Sequence, residues 1–435
     1  MKIVEMRVTP IAISDPPLLN AAGLHAPYAL RTVVELVTSD GISGIGEVPG
    51  GVATTSALEA ARDVIVGFDP YQMNAIRTAL EQRFGGGDTS RGDSMGESRG
   101  DSPWDRRVFV HVASAVEVAC FDLIGKATGR PVCDLLGGRV RDRVDFSAYL
   151  FYKYEGAGGE LGLNTDPAAA GWAAARQKPA LDPDGVVAQA RAMCDEFGFR
   201  SIKLKGGAFP PDEEAAAMLA LRDAFGPDVP LRLDPNALWT VDTAIAVGRR
   251  LHGTLEYLED PVRGQENMAA VAKALDTPLA TNMCTTSFDD IPGSVRHGSE
   301  QIILSDHHFW GGLRASLELG RICRVFGRGL SMHSNSHVGI SLAAMAHLAA
   351  ATPNLTYACD THYPWQSEEV VAGGRRRFVA GAYEVTDEPG LGVELDREEL
   401  ARLHRRYLEC GLTERNDEVE MQKVNPGWKF EPVRW

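Results

Sequence analysis

SIKLKGGAFPPDEEAAAMLALRDAFGPDVPLRLDPN, residues 201–236, is the stretch that decides the fold. A short apolar run ends in Lys203 and Lys205, a helix-forming segment follows over Glu213–Phe225, and a second apolar run ends in Asp234. Strand, helix and strand in this order are typical of a parallel βα unit. The stretch therefore predicts one repeat of an α/β fold, with a polar residue at the end of each strand.

The same unit repeats further along the chain. Later apolar runs end at five polar residues: Glu259, Asn282, Asp306, His333 and His362. Counted from Lys205 through Asp234 to His362, the intervals are 29, 25, 23, 24, 27 and 29 residues, the length of one strand plus one helix with short loops. Because a barrel of parallel strands gathers their carboxyl ends on one face, we expect these residues to meet in one site.

Composition narrows the classes of function. The 435 residues are 44% hydrophobic and 24% charged, as in soluble globular proteins. A formal net charge of −15 without a long basic run argues against nucleic acid as a partner, since phosphate binding needs a basic face. The start, MKIVEMRVTP, contains no export segment, and no uninterrupted apolar stretch approaches the roughly 18 residues of a membrane helix. We therefore expect a cytoplasmic protein with no membrane partner.

The chain divides into three predicted parts. Residues 28–48, YALRTVVELVTSDGISGIGEV, alternate around Asp40-Gly41, which predicts a β-hairpin, and helical periodicity follows. We predict an N-terminal α+β domain over 1–140, the barrel over 141–380, and a segment over 381–435 that is too short for its own core and packs back on the N-terminal domain. Residues 85–103, rich in Gly, Ser and Asp, predict a mobile loop that serves as a lid or an ornament.

Lys203 and Lys205 point to the same side of their strand, because side chains alternate with period two. Two ammonium groups facing the centre of a barrel need anionic partners, which favours a functional pair over two solvated lysines at a strand edge. Gly206 and Gly207 follow, and their bare backbone is expected to leave room for a ligand.

Three successive predicted strands end in hard oxygen donors, at Asp234, Glu259 and Asn282. Mg²⁺ prefers oxygen ligands and keeps positions open for water or substrate. Each residue has a structural alternative, because Asp-Pro starts turns and the Glu259-Asp260-Pro261 run is able to cap a helix. The recurrence of such donors in consecutive units favours a metal site.

Asp306 and His333 end the next two predicted strands. An Asp that accepts a hydrogen bond from one imidazole nitrogen fixes the tautomer of the ring, and the pair then serves as a general acid or base. His307, His308 and His337 compete for the same role, and the spacing alone does not choose among them.

With these residues in place, the chain resembles the enolase superfamily and, within it, the glucarate dehydratase group. The resemblance extends over nearly the whole chain, through the motifs GLHAPY, GEVPGG, FDLIG, KLKGG, LDPNALW, EDP, ATNM, DHHFWGG, HSNSH, DTHYPWQ, MQ and PGW. It implies a modified (β/α)7β TIM-type barrel with an N-terminal α+β capping domain that the C-terminal segment completes. It also implies a homo-oligomer.

The resemblance implies Mg²⁺-dependent dehydration of an acid sugar, with D-glucarate or a related hexarate as the default. The proton α to a carboxylate is removed, the enediolate is stabilised and the β-hydroxyl leaves, which gives a keto-deoxy acid sugar; a Lys or His base with Mg²⁺ is typical of this superfamily. Lys205 corresponds to the base on one face of the substrate, and His333, oriented by Asp306, to the acid or base on the other. Lys203 corresponds to a second cation near the developing charge.

The remaining roles also follow from the resemblance. Asp234, Glu259 and Asn282 correspond to the Mg²⁺ ligands, and Asn236 to a further catalytic residue. The positions that hold the distal part of an acid-sugar dicarboxylate correspond to His25, Tyr149, Ser334, Asn335, His362 and Arg415.

One departure concerns specificity. Where the group has a Thr pair before the helix that leads to FDLIG, this chain has Val108 and Phe109. A hydroxyl that would bond a substrate oxygen is missing, so we expect the distal half of the preferred acid sugar to differ. Two alternatives stay open: an acid-sugar racemase or epimerase, and a catalytically impaired relative that serves as a binding or assembly subunit.

Overall fold

The N-terminal unit is built on a long antiparallel sheet. The structure, a computed structural model, describes residues 1–85 and 107–435, so the predicted lid or ornament at 85–103 lies outside the described residues apart from Gly85. The strands of this unit are β1 Ile3–Ser14, β2 Leu19–Asn20, β3 Gly23–Leu24, β4 Tyr28–Thr38 and β5 Ser43–Pro49. Strands β1, β4 and β5 form a sheet in that order, and β4 and β5 are the two arms of the predicted hairpin.

In the described part of the chain, the sheet is followed by α1 Val52–Ile65, α2 Met73–Phe84, α3 Val108–Thr128 and α4 Val132–Leu135. Helix α3 is long and apolar enough to cross a membrane, but 94% of its most apolar window is buried against the rest of the protein. A helix that is apolar on all sides belongs in a core. We therefore interpret α3 as the central helix of the N-terminal unit, packed on β5.

The second unit alternates strands with helices. Its strands are β6 Arg143–Asp145, β7 Ala148–Phe151, β8 Ile202–Lys205, β9 Leu231–Asp234, β10 Tyr257–Glu259, β11 Leu279–Thr281, β12 Ile302–Ser305 and β13 Gly329–Met332. Its helices are α5 Gly171–Ala175, α6 Pro183–Phe197, α7 Pro211–Phe225, α8 Val241–Arg250, α9 Gln265–Ala274, α10 Ile291–His297, α11 His307–Trp310, α12 Leu313–Val325 and α13 Gly339–Ala350.

Strands β7 to β13 form one curled parallel sheet in sequence order. Residues 356–360 close it: Asp360 N donates to Met332 O at 2.8 Å on one side, and Ser147 N donates to Cys359 O at 2.8 Å on the other. The predicted α/β barrel with an N-terminal capping domain is confirmed. Because all its strands run in parallel, their carboxyl ends share one face.

The C-terminal part contains β14 Ala382–Glu384, α14 Arg397–Glu409 and α15 Asp417–Val424. Helix α14 packs on β1, and His404 Nδ1 donates to Pro10 O at 2.7 Å. Other pieces contact the barrel unit instead: β14 pairs with β6, and Arg434 N donates to Leu238 O at 2.9 Å. The segment after residue 380 thus contacts both units, whereas we predicted contact with the N-terminal unit.

Candidate active site

The register of β8 and β9 sets the two lysines beside a carboxylate. Lys205 pairs with Asp234 across the two strands, and Lys205 Nζ donates to Asp234 Oδ2 at 2.6 Å. Lys203, two residues earlier on the same side of β8, has its Nζ 3.7 Å from the same oxygen. The two ammonium groups therefore share one anion.

Lys203 is fully buried and held by further carboxylates. Its Nζ lies 2.6 Å from Glu259 Oε2 and 2.7 Å from Asp360 Oδ2, and 4.7 Å from the centre of the Tyr149 ring. Burial alone would lower the pKa of Lys203, but the attraction of these carboxylates raises it well above the ordinary value. Lys203 is thus a permanent cation rather than a base. Asp360 did not appear among the predicted residues, although its position in the DTH motif, next to His362, was a usable signal.

The oxygen donors at the ends of β9, β10 and β11 suit a divalent cation. Glu259 is fully buried, and its Oε1 has no hydrogen-bond partner among the described residues. Burial, together with the charge of Asp234, raises the pKa of Glu259 well above its ordinary range. A hard cation would satisfy the unpaired oxygen and relieve the repulsion between the two carboxylates. Asp234, Glu259 and Asn282 therefore fit Mg²⁺ in chemistry.

Asp260 holds Asn282 in place. Its Oδ2 accepts from Asn282 N at 2.8 Å and from Met283 N at 3.1 Å, and its Oδ1 accepts from the Thr281 hydroxyl. Burial raises the pKa of Asp260 to about 7. Sequence reasoning considered Asp260 only as part of a possible helix cap, and it missed that this carboxyl group holds the backbone of Asn282.

Asn236 reaches Lys205 by a turn rather than by strand alternation. Strand β9 ends at Asp234, and Asn236 takes a left-handed conformation, with φ 58°. Its backbone N donates to Asp234 Oδ1 at 3.0 Å, and its side-chain oxygen accepts a hydrogen bond from Lys205 Nζ. Asn236 therefore comes to Lys205 from the turn after β9, where the chain has already left the strand.

The two glycines after Lys205 serve packing. A Cβ on Gly206 would lie 2.5 Å from Glu214 Oε2, and a Cβ on Gly207, whose φ is +75°, would lie 2.6 Å from Pro235 O. The expected space for a ligand is thus occupied by the protein, so that prediction was wrong.

Asp306 and His333 meet through the register of β12 and β13, which pairs Ser305 with Met332. Asp306 Oδ2 lies 2.9 Å from His333 Nδ1. Burial raises the pKa of Asp306, but the neighbouring imidazoles of His308 and His333 outweigh it and hold this pKa well below the ordinary range. An ionised Asp306 fixes the proton of His333 on Nδ1, which leaves Nε2 as the nitrogen that exchanges a proton.

The other candidates for the acid or base role, His307, His308 and His337, are buried behind the site. His308 Nδ1 contacts the other oxygen of Asp306 at 2.8 Å, and His337 Nδ1 donates to Val338 O at 3.1 Å. Burial holds the pKa of His307 well below its ordinary value. Within the described residues, His333 is the one of these four histidines that lines the open cleft.

A cleft of about 200 Å³ lies over the strand ends. The predicted residues that line it are His25, Tyr149, Lys205, Asn236, Asn282, His333, Ser334, Asn335, His362 and Arg415. Lys203, Asp234 and Asp306 are buried and contact residues of this set. Glu259 is buried and contacts Lys203. The structure thus brings all the predicted site residues into one region.

His25 and Arg415 line the cleft side by side. Arg415 Nη2 lies 2.6 Å from His25 Nε2, and His25 Nδ1 lies 2.9 Å from Asp15 Oδ2. Because a guanidinium only donates, His25 Nε2 accepts and Nδ1–H donates to Asp15. Burial lowers the pKa of His25, which keeps the ring neutral. Asp417 holds the guanidinium through two further hydrogen bonds, of 2.7 and 2.8 Å.

Helix α3 places a different residue at the cleft than we predicted. Phe109 is buried in the core of the N-terminal unit, 5.4 Å beneath the Arg77 guanidinium, and Val108 packs against the same core. The expectation that these two positions face the substrate was therefore wrong. His111 lines the cleft instead, and its ring lies 5.4 Å from that of Phe309. Sequence reasoning missed His111 because its placement depends on how α3 packs against the barrel.

Comparisons with known proteins match this architecture in both units. The family model described as Enolase C-terminal domain-like matches residues 185–400. The model for the N-terminal domain of mandelate racemase and muconate lactonizing enzyme matches residues 6–137.

Individual relatives match over the whole chain. A probable glucarate dehydratase of Streptomyces coelicolor is 47% identical over 439 residues, which cover 100% of this chain and 99% of the relative. An enolase of Thermobispora bispora, crystallised with magnesium and formate, is 52% identical, with a TM-score of 0.91 and 100% of both chains covered. An enolase of Pseudomonas fluorescens with bound magnesium, potassium and tartrate is 44% identical, with a TM-score of 0.90 and coverage of 100% and 99%.

Proposed function

The chain belongs to the enolase superfamily, and from that premise we propose that it is an Mg²⁺-dependent dehydratase of an acid sugar, with D-glucarate or a related hexarate as substrate. The observation that carries the proposal is the presence of two proton-transfer groups in one cleft. Lys205 comes from β8 and the Asp306–His333 pair from the ends of β12 and β13, near the opposite end of the sheet order.

The two groups divide the reaction between them. Lys205, once its Nζ has lost a proton, accepts the proton α to the substrate carboxylate. The electron pair of that C–H bond passes into the carboxylate as an enediolate, and it returns to form the new C=C bond when the hydroxyl leaves. The C–O bond to the β-hydroxyl breaks, and His333 gives its Nε2 proton to the departing oxygen, so that water leaves. The enol that remains tautomerises to a keto-deoxy acid sugar.

The buried cations and the metal site support this chemistry. Lys203 is a fixed positive charge below the cleft, where negative charge develops on the substrate. Mg²⁺ held by Asp234, Glu259 and Asn282 would neutralise the substrate carboxylate and so acidify the adjacent C–H bond.

We propose that the distal part of the substrate lies against His25, Tyr149, Ser334, Asn335, His362 and Arg415. Arg415 offers a positive charge that attracts a carboxylate, although its Nε and Nη2 already donate to Asp417 and His25. The solved Pseudomonas fluorescens relative holds tartrate, itself a dicarboxylate. A substrate with a carboxylate at each end would use both ends of the cleft.

A panel of hexarates, pentarates and aldonates, assayed with Mg²⁺ for keto-acid product, tests the proposal. We expect product from at least one hexarate, and a loss of at least about 100-fold in kcat for Lys205→Met and for His333→Gln, because each removes a proton-transfer group. Circular dichroism checks that both variants fold. The absence of product from every member of the panel would overturn the proposal and favour the impaired-relative alternative.

The same panel in D₂O separates dehydration from epimerisation. A dehydratase forms keto acid, whereas a racemase or epimerase returns deuterated substrate of inverted configuration without product. Detection of the second pattern alone would replace the proposed reaction with proton exchange at the same two groups.

A further inference from the structure

Asp306 holds two imidazoles at once. Its Oδ2 lies 2.9 Å from His333 Nδ1, and its Oδ1 lies 2.8 Å from both the ring Nδ1 and the backbone N of His308. A carboxylate with one partner turns freely about its last torsion, whereas partners on both oxygens fix the plane of the group. The direction in which Asp306 presents Oδ2 to His333 therefore depends on His308.

The tautomer of His308 follows from its other neighbours. Its Nε2 lies 2.9 Å from Ser341 Oγ and 3.4 Å from Arg31 Nη2. Because a guanidinium has only donors, Nε2 is the acceptor, and the ring proton is on Nδ1, where it donates to Asp306. His308 is 4% exposed, so this arrangement is shielded from water.

Arg31, a residue of the N-terminal unit, contacts the His308 ring that supports Asp306. It lies in β4 and is 2% exposed, and its Nε donates to Glu47 Oε1 at 2.7 Å. Its Nη1 donates to Asn335 Oδ1 at 3.0 Å, while Nη2 reaches His308. One guanidinium thus contacts the capping sheet, a residue that lines the cleft and the ring that supports Asp306.

We propose that His308 and Arg31 are positioning residues for the Asp306–His333 pair, and that through them the N-terminal unit sets the angle at which His333 meets the substrate. The inference rests on the proposed dehydration for its kinetic readout. It predicts that a substitution of His308 slows the departure of the β-hydroxyl, which needs His333, more than the removal of the α proton, which needs Lys205.

The kinetic test measures how the substrate partitions in D₂O between deuterium exchange and keto-acid formation. For His308→Leu we expect the rate of elimination to fall roughly 10- to 100-fold, the size of effect seen when a group that orients a reactive residue is removed. Deuterium exchange should persist, so the ratio of exchange to keto-acid product should rise. His308→Asn keeps an N–H donor near the position of Nδ1 and should restore part of the ratio. A purely structural defect would lower both rates together.

His307→Leu is the matched control. It removes a buried imidazole from the same helical turn. The ring of His307 packs on that of His308 at 3.9 Å, and its Nε2 has no hydrogen-bond partner among the described residues. We expect an unchanged partition ratio, even where stability falls. An equal ratio in His308→Leu and the wild type, or the same rise in His307→Leu, would overturn the inference.

Arg31→Lys tests the contact with the N-terminal unit. A lysine keeps a positive charge near Glu47 but lacks the planar fork that reaches Asn335 and His308 together. We expect a higher KM, from the loss of support for Asn335, together with the rise in partition ratio seen for His308→Leu. A change in KM alone would remove Arg31 from the inference.

Imidazole ¹H–¹⁵N spectra of the unliganded protein give a readout that needs no turnover. We expect a proton on Nδ1 of both His308 and His333, and a displaced His333 signal in His308→Leu. An unmoved His333 signal would overturn the inference even if no substrate is found. If the His333 signal is displaced in His308→Leu but the wild type turns over no substrate, the positioning role stands and the proposed reaction is overturned.

Discussion

At the scale of single residues, the two lysines of β8 differ because of what surrounds them. Lys203 is 0% exposed and lies among Asp234, Glu259 and Asp360, whereas Lys205 opens on the cleft and has an amide as one of its partners. Removing one partner of a buried ion cluster leaves the others uncompensated. The same substitution is therefore expected to have different effects two residues apart.

Lys203→Met is expected to lower the free energy of unfolding by about 3 to 5 kcal/mol, because three buried carboxylates lose their common cation. Lys205→Met should cost less, about 1 to 3 kcal/mol, because the Lys205–Asp234 pair is largely buried but Asp234 keeps Lys203 as a cation. Urea unfolding at neutral pH compares the two. Similar losses in both variants would contradict the division between a structural cation and a proton-transfer group.

Glu259→Gln tests the metal site without an activity assay. The substitution removes a buried charge that repels Asp234, so the variant is expected to be at least as stable as the wild type without metal. Because the amide is a weaker ligand for a hard cation, the rise in Tm on adding Mg²⁺ should be largely lost. An equal Mg²⁺-dependent rise in both proteins would place the metal elsewhere.

At the scale of elements, the turn between β8 and α7 is held by one buried carboxyl group. Glu214 Oε1 accepts from Ala208 N at 3.0 Å and from Phe209 N at 3.1 Å. Burial raises the pKa of Glu214 to about 7. The turn that follows Lys205 therefore depends on the protonation of a group that does not line the cleft.

A carboxyl group with a raised pKa stabilises the folded protein fully below its unfolded pKa of about 4.3, and this contribution is lost as the pH rises to about 7. Relative to Glu214→Gln, which does not titrate, the wild type should lose on the order of 3 kcal/mol between about pH 4 and about pH 8. Denaturant unfolding across this range, without added metal, measures it. A difference independent of pH would show that Glu214 ionises normally.

How well each element could be predicted from the sequence depends on whether local contacts or contacts between distant residues form it. Helix α14 has the bounds Arg397–Glu409 that its sequence indicates, because the Asp396 cap accepts from Glu398 N and Glu399 N and its apolar face is periodic. The strand-end residues of the site were also predictable, since parallel topology alone gathers them. The left-handed turn at Asn236 has a local signal in Asp234-Pro235-Asn236, since Asp234 accepts from Asn236 N. The placement of Asp260 has none, because it depends on contacts between strands.

At the scale of the whole molecule, the cleft is assembled from all three parts of the chain. The N-terminal unit contributes His25, Arg31 and His111, the barrel contributes the strand ends, and the C-terminal part contributes Arg415. Of the contributions of the N-terminal unit, the resemblance implied His25, whereas Arg31 and His111 were missed, because only packing between the units brings them to the site. Contacts that hold the parts together therefore support the cleft.

The contact between α14 and the N-terminal sheet provides a test at this scale. Arg397 donates to Glu35 at 2.6 Å through both terminal nitrogens. Burial raises the pKa of Glu35, but Arg397 and then Arg7 outweigh it, so the net pKa lies below the ordinary value. A carboxyl group with a depressed pKa stabilises the fold above its unfolded pKa of about 4.3, and that contribution is lost as the pH falls through the folded value.

Glu35→Gln should therefore lower the free energy of unfolding by up to about 1 kcal/mol at neutral pH, since Arg397 itself is largely exposed. The difference in unfolding free energy between the wild type and the variant should disappear as the pH falls below about 4. Arg397→Gln removes the other partner and should show the same closing gap in denaturant unfolding. Because α14 leads into the segment that carries Arg415, both variants should also raise KM for the acid sugar. A difference in unfolding free energy that persists in acid, together with an unchanged KM, would show that this contact does not support the cleft.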